Sequence, residues 1–417
     1  MSVRASRARD DVALARIALG AIALHVADDA FFEPNPGTSA VDHVTPGLTS
    51  LVLVLAAAAL FDRVRPGIRA TIALLGGFFG LLVATEAVHA STSVGASGDD
   101  FTGLAAIPAG LLLLALGGRT LWISRRRGGR ARWRYGRRLL LSAGAFVGAL
   151  LVLFPVAVAY VVTHTARTQV PRADLGASYW NVAFKTNDGL VLKGWYIASR
   201  NGAAVVSIPG RGSSQKRAKL LARHGYGVLV YDRRGEGESE GDPNAFGWHG
   251  ERDVDAAVAY LRTRPDVDAH RIGGIGLSVG GEMLIAAAAH SNGLRAIVTE
   301  GASGRSVRDD LANPDRAWGE IIGTTIASAA TAAFTGQMPP TDLRRLVPSI
   351  SAATFFIYGA RGQPAEGPAN KAFYAAARGP KHLWQVPGAG HIGGTEARPL
   401  EYEQRVVAFF DRELLGH

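Results

Sequence analysis

The stretch Arg271–Ile285 constrains the fold of this chain more than any other part of the sequence. A short β-type run ends in Gly276-Leu-Ser-Val-Gly280 and passes directly into an Ala-rich helical pattern, which is the sequence form of a nucleophile elbow. A residue on so sharp a turn has a strained backbone, and the residues two before and two after it approach each other so closely that only small side chains fit. The stretch therefore predicts a strand-to-helix turn with Ser278 at its apex and with helix N–H groups where an oxyanion would develop.

Two other interpretations use the same glycines. Gly274, Gly276 and Gly280 also form a loose dinucleotide-binding fingerprint, and Glu300 ends the next strand at about the distance expected of a ribose-binding acid. The strict fingerprint requires glycine where Val279 stands, and it normally opens its sheet, whereas at least three strand patterns precede this one. A purely structural glycine-rich turn is the remaining alternative. We favour the elbow.

The charge distribution divides the chain of 417 residues into two unlike halves. The first 170 residues contain 17 Arg, no Lys and 10 acidic residues, and they account for most of the net charge of +10. These arginines are concentrated in short stretches between apolar runs, so we interpret them as membrane-topology signals rather than as a nucleic-acid-binding surface. The chain has no cysteine, which excludes disulfides and thiolate metal sites.

Apolar runs in the first half predict a transmembrane region of about five helices. A cleaved signal peptide is the alternative for the first run, which follows three arginines and is interrupted by Arg16 and His25. The last run is long enough to cross a hydrocarbon core of ~30 Å without help. The runs are Val12–Ala27, Leu48–Phe61, Ala70–Ala90, Gly103–Ile123 and Leu139–Thr163.

The loops between these runs predict the orientation. Arg63, Arg65 and Arg69 lie in the loop after the second run, and the stretch Arg119–Arg138 contains nine arginines, including 125–127. The other two loops, residues 28–46 and 91–101, contain no Lys or Arg. Since positive loops stay in the cytoplasm, we expect a multi-pass protein of the cytoplasmic membrane whose second half is extracytoplasmic.

Several ionisable residues fall near the predicted outer ends of the first three spans. Ionisable groups within spans suggest function, but the spacing here matches no ligand motif, so we interpret them as interfacial polar residues and predict no metal. They are His25, Asp28, Asp29, Asp42, His43, Glu86 and His89.

The second half predicts an α/β domain. Two alternating runs joined through Asn187-Asp-Gly189 indicate a hairpin. Strand and helix patterns then alternate to the end of the chain, which indicates a mostly parallel sheet covered on both faces. About fifty residues, 302–350, interrupt the alternation as a small helical cap. Its run Ile321–Phe334 would either line an apolar acyl pocket or pack over the sheet edge.

From residue 175 onward the chain resembles the α/β-hydrolase superfamily, and within it the dienelactone-hydrolase and serine-aminopeptidase groups. The resemblance rests on four motifs in the superfamily's order. They are Ser207-Ile-Pro-Gly-Arg-Gly-Ser, Tyr231-Asp-Arg-Arg-Gly-Glu-Gly-Glu-Ser, Gly276-Leu-Ser-Val-Gly280 and Pro387-Gly-Ala-Gly-His391. The resemblance implies that Ser278 is the nucleophile, that His391 is its general base and later its acid, and that the N–H groups of Arg211 and Val279 form the oxyanion hole. Pro209 stands where many relatives have His.

The acid that would orient His391 departs from the superfamily pattern. Relatives usually place Asp three residues after the glycine that ends the seventh strand, and that position here is Gly362. Glu366, four residues further along the same loop, is the acid we favour, because the longer Glu side chain could reach His391. Glu300 at the end of the sixth strand is the rival, since some lipases of this fold carry their acid there. The absence of any acid is the third possibility.

The sequence thus predicts three segments: a transmembrane region over residues 1–165, a linker over 166–178 and an α/β-hydrolase domain over 179–417. We expect a membrane-anchored serine hydrolase that cleaves ester or thioester bonds of a small-molecule acyl substrate, contacts membrane lipids and uses no cofactor. One alternative is a peptidase on the same residues. The other is a non-catalytic, hydrolase-like membrane protein that binds a ligand or partner.

Overall fold

A computed structural model of the chain describes residues 3–33, 40, 44–85, 87–88, 98–124, 131–165, 167, 170–311 and 318–416. The polar residues Asp42, His43, Glu86 and His89 and the arginines 125–127 lie outside these ranges. The chain forms two compact units. The first comprises Met1–Ala166 with Ala329–Gln337, and the second comprises Arg167–Ser328 with Met338–His417.

The first unit is helical over its described residues, and each predicted apolar run overlaps a helix. Two of these helices, Pro66–Val83 and Asp100–Ser124, have the length and the apolar composition that a membrane span needs, as judged over the described residues. The five-span region itself stays a prediction. The helices are Val3–Ala27 continued by a wider turn over Asp28–Phe32, Val44–Leu60, Pro66–Val83, Asp100–Ser124, and Ala131–Tyr160 continued over Val161–Thr165.

Small residues let two of these helices approach backbone to backbone. A Cβ added to Gly77 would lie 2.7 Å from the carbonyl oxygen of Gly110, and one added to Gly110 would lie 2.8 Å from that of Gly77. Such close approach through glycine is typical of helix pairs that associate in membranes. Helices Pro66–Val83 and Asp100–Ser124 therefore pack through this glycine pair.

The end of the cap run belongs to the first unit. Phe334 stands edge-on to Tyr160, with ring centroids 5.5 Å apart, and edge-on to His164 at 5.8 Å. It closes the helix Trp318–Thr335, whose residues from Ala329 onward fall in this unit. This part of the run Ile321–Phe334 thus packs on helical neighbours, which neither the acyl-pocket nor the sheet-edge interpretation anticipated.

The second unit is built on an eight-stranded mixed sheet with the order β1-β2-β4-β3-β5-β6-β7-β8. Strand β2 runs antiparallel to β1 and β4, and all the other pairs are parallel. Every strand expected from the sequence is present. The strands are β1 Trp180–Lys185, β2 Val191–Ile197, β3 Ala204–Ile208, β4 Gly227–Tyr231, β5 Ile272–Leu277, β6 Ala296–Glu300, β7 Ala353–Gly359 and β8 Lys381–Val386.

Helices cover both faces of this sheet. Val206 and Leu229 belong to the apolar core on one face, while Val205 and Val228, their neighbours in sequence, belong to the core on the other. Because both faces are buried, the inner strands are continuous apolar runs. The helices of this unit are Gln215–Arg223, Glu251–Arg262, Val279–His290, Val307–Leu311, the part of Trp318–Thr335 up to Ser328, Leu343–Leu346 with a short turn over Val347–Ser349, Glu366–Ala376, Gly394–Ala397, and Pro399–Phe410 continued over Asp411–Leu415.

The parallel register gathers the loops that carry the candidate residues. Leu277 at the end of β5 pairs with Glu300 at the end of β6, which pairs in turn with Ile357 of β7. Gly359 of β7 pairs with Val386, the last residue of β8. Parallel strands of this kind form their sites at the carboxyl edge of the sheet. The loops after β5, β7 and β8 therefore meet there.

Candidate active site

The turn at Ser278 has the geometry that its glycines require. Ser278 has φ 51° and ψ −122°, a conformation that non-glycine residues rarely adopt. A Cβ on Gly276 would lie 2.7 Å from the carbonyl carbon of Gly280, and a Cβ on Gly280 would lie 2.6 Å from the carbonyl oxygen of Pro209. Larger residues at either position would open the turn, so the two glycines hold the serine in its strained position.

His391 reaches this serine from the loop after β8. Its Nε2 lies 2.9 Å from the Oγ of Ser278, a normal hydrogen-bond distance. Gly301 lies directly against the imidazole, because a Cβ there would be 3.2 Å from both Nδ1 and Cε1 of the ring. Gly301 also has φ +74°, which favours glycine. The imidazole keeps 28% of its side-chain surface exposed, so a substrate could reach the pair.

Glu366 contacts the other side of the imidazole. Its Oε1 is in hydrogen-bond contact with Nδ1 of His391 and accepts the N–H of Gln363 at 2.8 Å. Glu366 is completely buried and begins the helix Glu366–Ala376, where the helix dipole favours a negative charge. A carboxylate on Nδ1 holds the proton on that nitrogen and leaves Nε2 free to accept the proton of the serine.

Gly362 explains why the carboxylate comes from position 366. A Cβ on Gly362 would lie 2.8 Å from Cδ and 3.1 Å from Oε1 of Glu366, and the backbone there is not left-handed. The Glu366 carboxylate thus occupies the space that an Asp side chain at position 362 would need. The absence of a side chain at Gly362 and the carboxylate of Glu366 are therefore two parts of the same arrangement.

This arrangement predicts that an Asp at position 362 can replace Glu366 as the acid that contacts His391. Glu366→Ala should lower kcat on an ester by roughly 10²–10⁴, as loss of a triad acid does. Gly362→Asp should lower activity alone, since its carboxylate would meet that of Glu366. The double variant Gly362→Asp/Glu366→Ala should have a kcat at least about tenfold higher than that of Glu366→Ala, because an Asp at 362 has the usual reach to the histidine.

Steady-state kinetics on one ester measure this recovery, with thermal melts as the check on folding. Gly362→Asn/Glu366→Ala is the matched control, which has the same shape without the charge and should recover nothing. A double variant no faster than Glu366→Ala would contradict the assignment of the acid.

Glu300, the rival acid, does not contact His391. It is 2% exposed, and its carboxylate accepts hydrogen bonds from the Arg217 guanidinium, the Tyr402 hydroxyl and the Gly394 N–H. These partners also take the carboxylate away from the ribose that the dinucleotide interpretation assigned to it.

The loop after β3 lies beside the serine. A Cβ on Gly210 would lie 3.2 Å from Cβ of Ser278 and 3.0 Å from the carbonyl oxygen of Leu277. Arg211 follows this glycine, and Val279 follows the serine at the start of the helix Val279–His290. The structure thus brings next to Ser278 the two chain segments whose N–H groups the sequence predicts as oxyanion donors.

Glu282 is a buried acid near the site that the sequence analysis did not single out. It lies in the first turn after Ser278 and accepts the N–H groups of Ser303 at 3.2 Å and Gly304 at 3.1 Å. Burial raises the pKa of Glu282 to about 7, against these two N–H groups and Arg305, which lower it. Glu282 ties the loop after β6 to the helix that carries the serine.

Ionisation of Glu282 should therefore weaken the fold. Its folded-state pKa of about 7 exceeds its ordinary value of 4.5, so the folded state binds more protons between these values. Its contribution to the free energy of unfolding is fully present below about pH 4.5 and is lost as pH rises through about 7, and the loss amounts to about 3 kcal/mol.

Thermal melts of the full-length protein between about pH 5 and 8 test this prediction. The melting temperature of Glu282→Gln relative to the unmodified protein should rise with pH. Glu401→Gln, which changes a partly exposed glutamate that pairs with Arg405, is the matched control and should show no such trend. A difference for Glu282→Gln that stays constant with pH would contradict the raised pKa.

Of the polar residues near the predicted outer ends of the first spans, His25 and Asp28 share a hydrogen-bonding neighbour, Thr102. His25 Nδ1 lies 3.2 Å from the Thr102 hydroxyl, which donates to Asp28 at 2.8 Å, and His25 Nε2 lies 3.1 Å from the Val83 carbonyl oxygen. Within the described ranges, no three His, Asp or Glu side chains come together as metal ligands.

Comparisons with known proteins find one peptidase family, two curated relatives and a similar solved structure. The family model of the X-Pro dipeptidyl-peptidases (S15 family) matches residues 160–388, a range that includes Ser278 and Glu366 and ends three residues before His391. The polyketide transferase grgF of Penicillium sp. is 33% identical over 167 residues, which cover 36% of this chain and 50% of that protein. The thiohydrolase aneE of Aspergillus aculeatus is 34% identical over 137 residues, which cover 29% of this chain and 41% of that protein.

These matches span half or less of the length of the two curated relatives. Among solved structures, an esterase of Pyrococcus furiosus is similar at 22% identity with a TM-score of 0.48, over 60% of this chain and 99% of that one.

Proposed function

The chain belongs to the X-Pro dipeptidyl-peptidase (S15) family and is a hydrolase of the α/β-hydrolase kind, and we propose that it cleaves ester or thioester bonds through an acyl-enzyme on Ser278. The observation that carries this proposal is the hydrogen-bonded row Ser278 Oγ, His391 Nε2 and Nδ1, and Glu366 Oε1. A strained, accessible serine against a histidine that a buried carboxylate orients is the arrangement that nucleophilic acyl transfer needs.

In the proposed reaction, Ser278 Oγ attacks the carbonyl carbon while His391 Nε2 takes the hydroxyl proton. The N–H groups of Arg211 and Val279 stabilise the oxyanion, and each such donor is typically worth about 10²–10³ in rate. His391 then returns the proton to the departing alcohol or thiol. A water molecule attacks the acyl-enzyme with the same histidine as base, which regenerates the serine.

The choice of esters over peptides rests on the carboxylates around the site. A dipeptidyl-peptidase, as its name implies, holds the amino end of a peptide, and an ammonium group needs a nearby anion. Glu366 contacts His391, Glu300 binds Arg217, and Glu282 holds the loop after β6. Each of these three carboxylates, which belong to the described part of the chain, is already engaged with a protein group. The family match favours peptide cleavage as the second candidate.

Activity measurements on the full-length protein test the proposal. A fluorophosphonate should label the unmodified protein at Ser278, and short p-nitrophenyl esters should be turned over faster than dipeptidyl p-nitroanilides. Ser278→Ala should lose about 10³-fold or more in kcat, as removal of a triad serine does. Ser351→Ala, which changes an exposed serine at the opposite edge of the sheet, is the control and should retain full activity.

Faster cleavage of the anilides would assign a peptidase instead. No labelling and no turnover of any ester, thioester or amide would leave a ligand-binding or partner-binding role for the domain.

We also propose that the first half anchors this domain, through contacts with membrane lipids, to the outer face of the cytoplasmic membrane. The loop after the helix Val44–Leu60 carries Arg63, Arg65 and Arg69, and the stretch Arg119–Arg138 carries nine arginines, which are retained on the cytoplasmic side. A phosphatase fused after Gly176 should therefore be active, and one fused near Gly128 should be inactive. The reverse pattern would place the hydrolase domain in the cytoplasm.

A further inference from the structure

A buried polar cluster lies next to the loop that carries His391. It consists of Arg217 from the helix Gln215–Arg223, Glu300 from the end of β6 and Tyr402 from the helix Pro399–Phe410. These side chains are 4%, 2% and 0% exposed. Burying a charged pair costs several kcal/mol unless its hydrogen bonds are well satisfied. The hydrogen bonds that this cluster makes to the rest of the protein therefore indicate its role.

Glu300 joins the serine turn to the histidine loop. Its backbone carbonyl accepts the N–H of Ser278 at 2.7 Å, and its side-chain Oε1 accepts the N–H of Gly394 at 2.8 Å. The next residue is Gly301, which lies against the imidazole of His391. One residue thus contacts the nucleophile through its backbone and the loop of the base through its side chain.

Arg217 binds the same loop at a second point. One guanidinium nitrogen donates to the carbonyl of Ile392 at 2.6 Å and to Oε2 of Glu300 at 2.8 Å. Ile392, the residue after His391, has φ +49°, which a β-branched residue rarely adopts. Such a conformation costs on the order of 1–3 kcal/mol and persists only where its surroundings hold it. The hydrogen bond from Arg217 holds it from the carbonyl side.

The charges within the cluster balance each other. Burial acts to lower the pKa of Arg217, but the Glu300 carboxylate beside it acts the other way, and this pKa lies above its ordinary value, so the guanidinium stays charged. The Tyr402 hydroxyl donates to Oε2 of Glu300 at 2.7 Å, and burial beside that carboxylate raises the pKa of Tyr402, which stays protonated. The carboxylate therefore accepts from a cation, a hydroxyl and a backbone N–H.

We propose that Arg217 and Glu300 are positioning residues for His391. They hold the Ile392 carbonyl and the Gly394 N–H, which directly follow the strained backbone of Ile392, and so keep His391 Nε2 at 2.9 Å from Ser278 Oγ. This inference rests on the proposed function. It gives Glu300 a role in the site that differs from that of the triad acid.

Arg217→Ala with added guanidinium tests the role of Arg217. Without the guanidinium group, the Ile392 carbonyl loses its hydrogen bond to Arg217 and the loop can shift. A shift of about 1 Å in a catalytic group costs roughly 10²-fold in rate. We expect kcat on a p-nitrophenyl ester to fall by about that factor while KM changes less than about threefold. Millimolar guanidinium should raise kcat of Arg217→Ala at least about tenfold, and urea at the same concentration should leave it unchanged.

Arg223→Ala is the matched control. Arg223 lies on the same helix, and its exposed side chain pairs with Glu403 at 2.8 Å. This variant should keep its kcat and should not respond to guanidinium. A purely structural role for Arg217 would lower the melting temperature, but it would leave kcat of the folded variant unchanged and unresponsive to guanidinium.

If Arg217→Ala does not fold, Glu300→Gln tests the positioning role instead. The amide keeps the shape but has one acceptor oxygen, so it cannot accept from Arg217 and Tyr402 on one side and from the Gly394 N–H on the other, and kcat should fall about tenfold or more with KM little changed. A folded Arg217→Ala or Glu300→Gln with kcat within about threefold of the unmodified protein would overturn the proposal. An unmodified protein that neither labels nor turns over substrate would instead reject the proposed function, and the positioning role with it.

Discussion

The close backbone contact between Gly276 and Gly280 is the constraint on which the rest of the site depends. It turns the chain from β5 into the helix Val279–His290 within one residue and holds Ser278 at φ 51°. Gly280 lies equally close to the carbonyl oxygen of Pro209, so the same contact fixes the loop after β3 beside the serine. The nucleophile, the helix N-terminus and the neighbouring loop are therefore set by the absence of two side chains.

Two buried glutamates, Glu300 at the end of β6 and Glu366 at the helix start after β7, have different partners because of where the histidine loop passes. Glu366 contacts the imidazole itself, from a helix start that is open to it only because position 362 is glycine. Glu300 reaches the backbone of the loop one turn further on, at Gly394. A carboxylate on the ring sets its tautomer, whereas one on the backbone sets only where the ring lies.

The strands, the elbow and the order of the motifs could be predicted from the sequence, because apolar periodicity and glycine spacing are local signals. Side-chain reach favoured Glu366 over Glu300, but the sequence left both open, since both follow inner strands and the choice depends on the path of the loop. Arg217 gave a weaker signal. It is a charged residue on the buried face of its helix, in line with Leu220 and Leu221, but its partners come from residues 300, 392 and 402. The contacts of Phe334 with Tyr160 and His164 also join residues far apart in the sequence, so they could not be predicted from it.

Direct observation of an acyl-enzyme tests the central claim. The full-length protein is mixed with p-nitrophenyl acetate, quenched in acid within the first turnover, digested and analysed by peptide mass spectrometry. The account predicts an acetyl group on Ser278 that disappears on the timescale of turnover, together with a burst of p-nitrophenol stoichiometric with enzyme. Turnover with an acetyl group on another residue, or without any covalent intermediate when deacylation is slowed by low temperature, would contradict it.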